Sequence, residues 1–362
     1  MNLRVGAFGR QEGASAVAIC MFGGSCFAFD SAALFSDGNA SYLTYAIALI
    51  ASLLLFELLC AALNKRGGLD LSSLIGGSVV KRFLTVPLML SLLLAALLPM
   101  QQCLLTVTQY VFVDAKQASV CLYLLPCLTL LCLLGAEPLV RTARILLPVL
   151  GISILIALLS NASQMHAYRL FPIPVGKPEK LLHESASALH RTVSPLLALL
   201  CIGDGTQRAD AQKSAGRIGA AVGAIAVLSM LLGLSCCFSY GLLRDMPSPF
   251  YRLLVEARTE SPALRLDRAA LFLWTACSLL GSAIEVFAAG VLLCRTFGVR
   301  DVRPVVCALS ALCVSAVLLL YRDSEPAART LSLLYRYGWI GAVVPLPLLC
   351  IGGRRKRVCA AS

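Results

Sequence analysis

Long apolar segments recur along the whole chain and are separated by shorter polar intervals. About 20 apolar residues in a helix are needed to cross the hydrocarbon core of a bilayer. The strict alternation of apolar and polar residues that is typical of membrane β-barrels does not occur in the sequence. The pattern therefore predicts an all-α integral membrane protein. The ten predicted transmembrane helices cover residues 14–35, 42–63, 83–107, 120–135, 145–159, 192–205, 218–243, 269–294, 305–321 and 334–351.

Glycine residues interrupt two of these spans at corresponding positions in the two halves of the chain. Span one contains the pair Gly23-Gly24, and span six ends in Gly203-Asp204-Gly205. Interrupted helices at matching positions are typical of transporters built from inverted repeats, which bind substrate near the middle of the membrane. The pattern predicts a five-plus-five inverted repeat with broken helices one and six. Within a single polytopic domain, 1–362, the parts are the first repeat 14–159, an outer loop 160–191, the second repeat 192–351 and a basic tail 352–362.

The low number of charged residues agrees with a membrane protein, and their positions predict which side of the membrane each loop faces. They make up 14% of the sequence, whereas a soluble domain has about 25%. The formal net charge is +12, and the basic residues concentrate in short loops on the side of both termini. The positive-inside rule places that side in the cytoplasm, in contact with the headgroups of the lipid bilayer. No nucleic acid partner is expected, because no soluble basic domain exists to bind one.

The first span has a second interpretation as a signal peptide. Arg4 and Arg10 precede the apolar run, and Ser31-Ala32-Ala33 follows it, which is the order of features in a secretory signal. Removing this segment would delete the first element of the predicted repeat. We therefore favour the membrane span.

The cysteine and histidine residues do not show the spacing that is typical of catalytic or metal-binding sites. Sixteen cysteines occur, mostly inside apolar segments, without a Cys-x-x-Cys pair or a Cys/His cluster. We interpret them as small packing residues that stay reduced. His166, His183 and His190 all fall in the outer interval after span five, and no catalytic triad or phosphate-binding loop is present. We expect neither an enzyme nor a cofactor or metal site.

The two interruptions predict a site for a small zwitterion such as an amino acid. Freed backbone N–H groups from Gly23 to Cys26 would accept a carboxylate. The carbonyl groups and the carboxylate of Gly203-Asp204-Gly205 would bind an ammonium group or a cation. Two alternatives stay open: the glycines allow close helix packing, and Asp204 is an ordinary residue at a helix end.

Polar residues inside the spans extend this prediction, since ionisable groups within a membrane are functional candidates. Glu285 lies in the middle of span eight without a cation nearby in the sequence, and Glu57 lies nearer the end of span two. Span three carries a polar patch that would either line a cavity or bond between helices. The predicted ligand-binding residues are Gly23, Gly24, Ser25, Cys26, Gln102, Thr106, Gly203, Asp204, Gly205 and Glu285.

A family resemblance covers nearly the whole chain in its length, its ten spans and the placement of its loops, and three stretches add to it. They are Tyr168-Arg169-Leu170-Phe171-Pro172 before span six, Gly135-Ala136-Glu137-Pro138 leading to Arg141 between spans four and five, and Cys294-Arg295-Thr296-Phe297-Gly298 after span eight. With them the chain resembles the endospore germination permeases, the B subunits of GerA-type nutrient germinant receptors, in the amino acid–polyamine–organocation superfamily. Span one departs from that pattern, with Gly-Gly-Ser-Cys where relatives show a Gly-x-Gly-like break followed by Leu-Pro.

The resemblance implies a LeuT-like fold and a nutrient-sensing role in the inner membrane of a bacterial spore. The implied partners are an A-type membrane subunit and a C-type lipoprotein, with a small nutrient bound between spans one, three, six and eight. Ligand binding would then shift a conformational equilibrium without completing a transport cycle. Two other functions stay open: an H⁺- or Na⁺-coupled amino acid or amine transporter of the same fold, and a structural membrane subunit without a ligand.

Overall fold

The part of the chain that the computed structural model describes is built from helices joined by turns. It comprises residues 6–27, 41–74, 79–112, 116–171, 178–206, 208–244, 246, 248–256, 266–320 and 325–350. The helices are α1 (Arg10–Cys26), α2 (Ser41–Arg66), α3 (Val79–Tyr110), α4 (Gln117–Leu134), α5 (Ala136–Ser160), α6 (Pro178–Cys201), α7 (Ala209–Cys237), α8 (Tyr240–Arg244), α9 (Pro249–Glu256), α10 (Leu266–Phe297), α11 (Val302–Leu320), α12 (Glu325–Val343) and α13 (Pro345–Cys350).

Each of the ten predicted spans overlaps a helix of the structure. Six helices within the described residues are long and apolar enough to cross a membrane. This confirms the all-α membrane class, while the number of ten crossing helices and the five-plus-five division stay predictions. The six segments are Ser41–Arg66, Arg82–Tyr110, Ala136–Ser160, Ala209–Cys237, Asp267–Phe297 and Val302–Leu320.

Helix α1 lies at the centre of the bundle and is buried along nearly its whole length. It packs most extensively against α7 and α10. Apolar side chains gain little from leaving lipid for protein, so small residues that let backbones approach drive such packing. Gly219 and Gly223 of α7 provide this approach. A Cβ atom at Gly219 would lie 2.5 Å from the carbonyl oxygen of Ala14, and one at Gly223 would lie 2.9 Å from Cβ of Met21.

Helix α1 continues through both glycines of the predicted interruption and ends at Cys26, so the two glycines themselves are helical. Close packing accounts for one of them. A Cβ atom at Gly23 would lie 2.7 Å from the carbonyl oxygen of Cys277 in α10, whereas at Gly24 no atom lies within 4 Å. Residues 28–40, which include the predicted end of span one, lie outside the described residues.

The glycines of span six separate two helices instead of breaking one. Helix α6 is continuous from Pro178 to Cys201 and is followed by a 3₁₀ turn, Gly203–Thr206, which leads into α7. A Cβ atom at Gly203 would lie 2.2 Å from the carbonyl oxygen of Leu69, and one at Gly205 would overlap the ring of Phe8. These glycines therefore allow neighbouring loops to approach the turn.

We call the end of the bundle that carries Phe8, Arg66 and Arg295 the basic face. The segment before α1 covers part of this face: the N–H of Phe8 donates to the carbonyl oxygen of Gly205 at 2.9 Å, and the Phe8 ring is buried. Arg66, at the end of α2, donates to the carbonyl oxygen of Leu74 at 2.6 Å. These loop contacts close the part of the basic face around Gly205 and Leu74 in this conformation.

Alanine substitution should separate the two adjacent glycines of α1. Gly23→Ala places a methyl group against the backbone of α10 and should lower stability by about 1–3 kcal/mol, the usual cost of overpacking. Gly24→Ala is the matched control, because the space beside Gly24 is open. Thermal unfolding of both variants in detergent would measure the difference. Equal losses of stability would contradict the close contact of α1 with α10.

Candidate functional site

A small cavity lies between α1, α3, α6 and α10, and it brings together some of the predicted site residues. Its volume is about 10 Å³, which is room for about one water molecule. A nutrient molecule would fit only if the surrounding helices moved apart. The lining residues are Gly24, Ala95, Leu98, Pro99, Ser187, His190, Arg191, Ser194 and Glu285.

Glu285 is the carboxyl group of this cavity. It lies on α10, is 3% exposed, and accepts a hydrogen bond of 3.0 Å from the hydroxyl of Ser194 on α6. Within the described residues this is its only hydrogen bond, and no cationic side chain forms an ion pair with it. Burying a carboxyl group with so little compensation is costly, and ionisable groups within membrane spans are therefore functional candidates.

His190 and Arg191 line the cavity on the side of α6, and Arg191 supplies positive charge. The Nε2 atom of buried His190 lies 3.0 Å from the carbonyl oxygen of Ser91. Because a carbonyl oxygen only accepts, Nε2 carries the proton in this arrangement. Arg191 lines the same cavity and acts electrostatically on Tyr45 of α2.

The sequence prediction missed His190 because it placed this residue in an outer loop. In the structure α6 begins at Pro178 and includes the amphipathic segment that precedes span six. Cavity residues then recur at positions i, i+3, i+4 and i+7, which is one face of a helix. That spacing is visible in the sequence once the helix is extended backwards. The four residues are Ser187, His190, Arg191 and Ser194.

The last turn of α1 has the opposite polarity to the one predicted. Gly23 to Cys26 end a helix, so their N–H groups bond within it and the unpaired groups are carbonyls. The thiol of Cys26 donates to the carbonyl oxygen of Gly23 at 3.5 Å, and Ser25 is buried beside Tyr45. A helix C-terminus carries partial negative charge and favours a cation. The geometry therefore does not support carboxylate binding by these amides.

Gln102 and Thr106 lie on α3 away from the cavity lining. The hydroxyl of Thr106 bonds to the carbonyl oxygen of Gln102 at 2.9 Å and to the hydroxyl of Ser248 at 2.5 Å. Ser248 precedes α9, so Thr106 ties α3 to a connecting segment. Gln102 is half-buried. The contact of Thr106 with Ser248 agrees with the second interpretation of the polar patch in span three, in which its side chains form hydrogen bonds between separate elements.

Asp204 belongs to an ionic cluster at the basic face. One guanidinium nitrogen of Arg295 lies 2.8 Å from its carboxylate, and the other lies 2.8 Å from Asp70 and 3.1 Å from the carbonyl oxygen of Cys201. The Arg295 side chain is 8% exposed. Partial burial raises the pKa of the Asp204 carboxyl group, while Arg295 acts in the opposite direction. Neither Asp204 nor its flanking glycines line the cavity at Glu285.

Glu57 also has ionic partners. It lies 2.9 Å from the ammonium group of Lys213 and pairs with Arg217, so it connects α2 to α7. Across the described residues, no group of three His, Cys, Asp or Glu side chains is placed to hold a metal ion.

Comparisons with known proteins identify a family and a fold. Residues 12–325 match the sequence profile of a family described as spore germination protein. A comparison with curated proteins returned no match.

Among solved structures, the manganese transporter of Eremococcus coleocola is similar over 94% of this chain. Its histidine-to-alanine mutant has a TM-score of 0.63 at 15% identity, with 76% of that chain covered. Its complex with an aromatic bis-isothiourea substituted compound has a TM-score of 0.61 at 16% identity, with 77% covered. At this identity the likeness shows the fold alone, which is a transporter fold.

Replacing Arg295 should destabilise the protein more than replacing another paired arginine. Arg295→Gln leaves two carboxylates without their shared cation and should cost roughly 2–4 kcal/mol, somewhat below a fully buried pair because Asp204 is half-exposed. Adding Asp204→Asn should recover part of the loss, since it removes one unpaired charge. Arg217→Gln, at a more exposed pair, is the control for thermal unfolding. Equal losses for the two arginine variants would contradict the role of the Arg295 cluster.

Proposed function

Because the chain belongs to the spore germination protein family, we propose that it is the nutrient-sensing membrane subunit of a spore germination receptor. Its ligand is a small zwitterion, with an amino acid as the leading class. The ligand binds at the cavity between α1, α3, α6 and α10 and shifts a conformational equilibrium. In this role the subunit catalyses no reaction.

The observation that carries the proposal is that groups of opposite charge line the same cavity. Glu285 and the last turn of α1, with its carbonyl end, line it and suit an ammonium group. Arg191 lies on α6 and suits a carboxylate, for which a guanidinium group is the strongest protein donor. This assignment keeps the zwitterion predicted from the sequence but exchanges the residues that hold its two ends.

The small volume of the cavity supports sensing. A ligand that enters only after the helices move apart binds the open conformation better than the closed one. Its differential affinity then shifts the population towards the open conformation. Such a shift is what a receptor subunit needs in order to signal to a neighbour.

The family also supports the place and the partners of the subunit. We place it in the inner membrane of a bacterial spore, with an A-type membrane subunit and a C-type lipoprotein as partners. The basic face faces the cytoplasm together with both termini, following the positive-inside rule.

A ligand-stabilisation screen tests the site. An amino acid that binds at 100 times its dissociation constant should raise the free energy of unfolding by about 2.7 kcal/mol. Glu285→Gln and Ser194→Ala should each reduce this stabilisation, because they remove the charge and its oriented partner. Glu179→Gln, at the exposed start of α6, is the control. If no amino acid stabilises the wild-type protein, the ligand-free structural subunit becomes the better assignment.

A second function, coupled secondary transport, is favoured by the transporter fold of the similar structures. In that case Glu285 would carry the coupling proton or bind the coupling Na⁺ ion. Uptake of a labelled, stabilising amino acid into proteoliposomes that contain only this chain decides between the two. For a sensor we expect uptake no greater than in protein-free vesicles. Uptake driven by a proton or Na⁺ gradient and abolished by Glu285→Gln would establish transport instead.

A further inference from the structure

A second, larger cavity opens at the basic face, away from the site described above. It has a volume of about 440 Å³ and lies between the turn that joins α4 to α5 and the turn that joins α10 to α11. This volume falls in the range of about 300–1,000 Å³ that is typical of ligand sites. None of the functions considered above uses this crevice.

The floor of the crevice is apolar and continues onto the outer surface of the bundle. Phe287 and Val291 of α10 and Val306 of α11 line it and are buried. Leu133 and Leu134, at the end of α4, line its edge and are 37% and 60% exposed. An apolar path therefore connects the crevice with the side of α4 that faces lipid.

The rim of the crevice carries charged groups that are already partly paired. Glu137 lies 2.6 Å from a guanidinium nitrogen of Arg141. A carboxylate oxygen of Asp301 accepts a hydrogen bond of 3.1 Å from the backbone N–H of Arg303. The guanidinium group of Arg303 has no ion-pair partner among the described residues.

A further carboxylate, that of Glu12, lies beside the rim, 3.8 Å from a guanidinium nitrogen of Arg141 and 4.0 Å from one of Arg144. The positive charge of Arg144 balances the negative charge of Glu12.

Two helix starts add positive potential at the same rim. Helix α5 begins beside Gly135, which forms no side-chain cap, and α11 begins at Val302. Each helix N-terminus is equivalent to roughly half a positive charge. The C-termini of α4 and α10 lie at the same two turns and offset this potential. The group at the rim that is open to a phosphodiester anion is therefore the guanidinium group of Arg303.

The depth of the rim matches the level of lipid headgroups. Helix α11 has 19 residues, and at about 1.5 Å per residue it spans approximately the 30 Å of a hydrocarbon core. Asp301 and Arg303, at the first turn of α11, therefore lie at the membrane boundary, with the apolar floor towards the hydrocarbon.

We propose that this crevice binds an anionic phospholipid. The phosphate lies at the rim between Arg303, Arg141 and the two helix starts, and the glycerol backbone and first acyl carbons cover Phe287 and Val291. Basic pockets between membrane helices bind anionic headgroups in this way. The open path past Leu133 and Leu134 distinguishes a lipid from a soluble anion, which would not use it. A lipid in this position joins the α4–α5 turn to the α10–α11 turn.

Thermal unfolding of the full chain, stripped of lipid in a neutral detergent, tests the proposal. Phosphatidylglycerol should raise the melting temperature saturably, and phosphatidylcholine with the same acyl chains should do so much less. Arg303→Gln combined with Arg141→Gln should weaken the apparent affinity for phosphatidylglycerol at least tenfold. Arg300→Gln, an exposed arginine in the same turn that does not line the crevice, should leave it unchanged.

Three results would overturn the proposal. The first is equal stabilisation by the two lipids, and the second is unchanged phosphatidylglycerol affinity in the double variant. The third is full stabilisation by glycerol 1-phosphate alone, which would indicate a site for soluble anions. Native mass spectrometry of the variants provides an independent readout. The double variant should lose one bound phosphatidylglycerol that the wild type and Arg300→Gln retain, and retention of that lipid would also contradict the proposal.

Discussion

The arrangement of the bundle depends on direct backbone contact between α1 and its two main neighbours. Lipid offers apolar side chains nearly the same environment as protein, so such contacts hold membrane helices together where bulky side chains would separate them. Gly23 brings α1 against the carbonyl group of Cys277, and Gly219 brings α7 against Ala14. With both sides occupied, the polar groups at the end of α1 must find partners inside the bundle. The cavity beside Gly24 is where these groups face Glu285 and α6.

Backbone direction decides which end of a ligand each helix can hold. A glycine pair in an apolar segment shows that the backbone is accessible, but it does not show whether N–H or carbonyl groups are free. Because α1 ends at Cys26, its free groups are carbonyls. The anionic end of a zwitterion must then be held elsewhere, and α6 presents Arg191. A zwitterion matches these charges only when its ammonium group faces Glu285 and the end of α1 and its carboxylate faces Arg191.

Much of the fold could be predicted from sequence, because each span is a long apolar segment with polar ends. The membrane class and the approximate helix positions followed from that pattern, and Glu285 was identified because a carboxylate in mid-span stands out. The pattern left close helix packing open for Gly23 but did not identify α10 as the backbone that it contacts, since contacts between distant segments leave no local signal. His190 was missed because the helix was started at its apolar part. Asp204 was ambiguous because its partners, Arg295 and Asp70, are far away in sequence.

The small cavity and the loop contacts at the Gly203–Thr206 turn are features of one conformation. Phe8 covers the Gly203–Thr206 turn, and Arg295 joins that turn to Asp70 and to the end of α10. Glu285 lies on the same helix as Arg295, ten residues earlier. In the proposed function, a ligand that displaces α10 at Glu285 would also displace Arg295 and so change the strength of the ionic cluster at the other end of the helix.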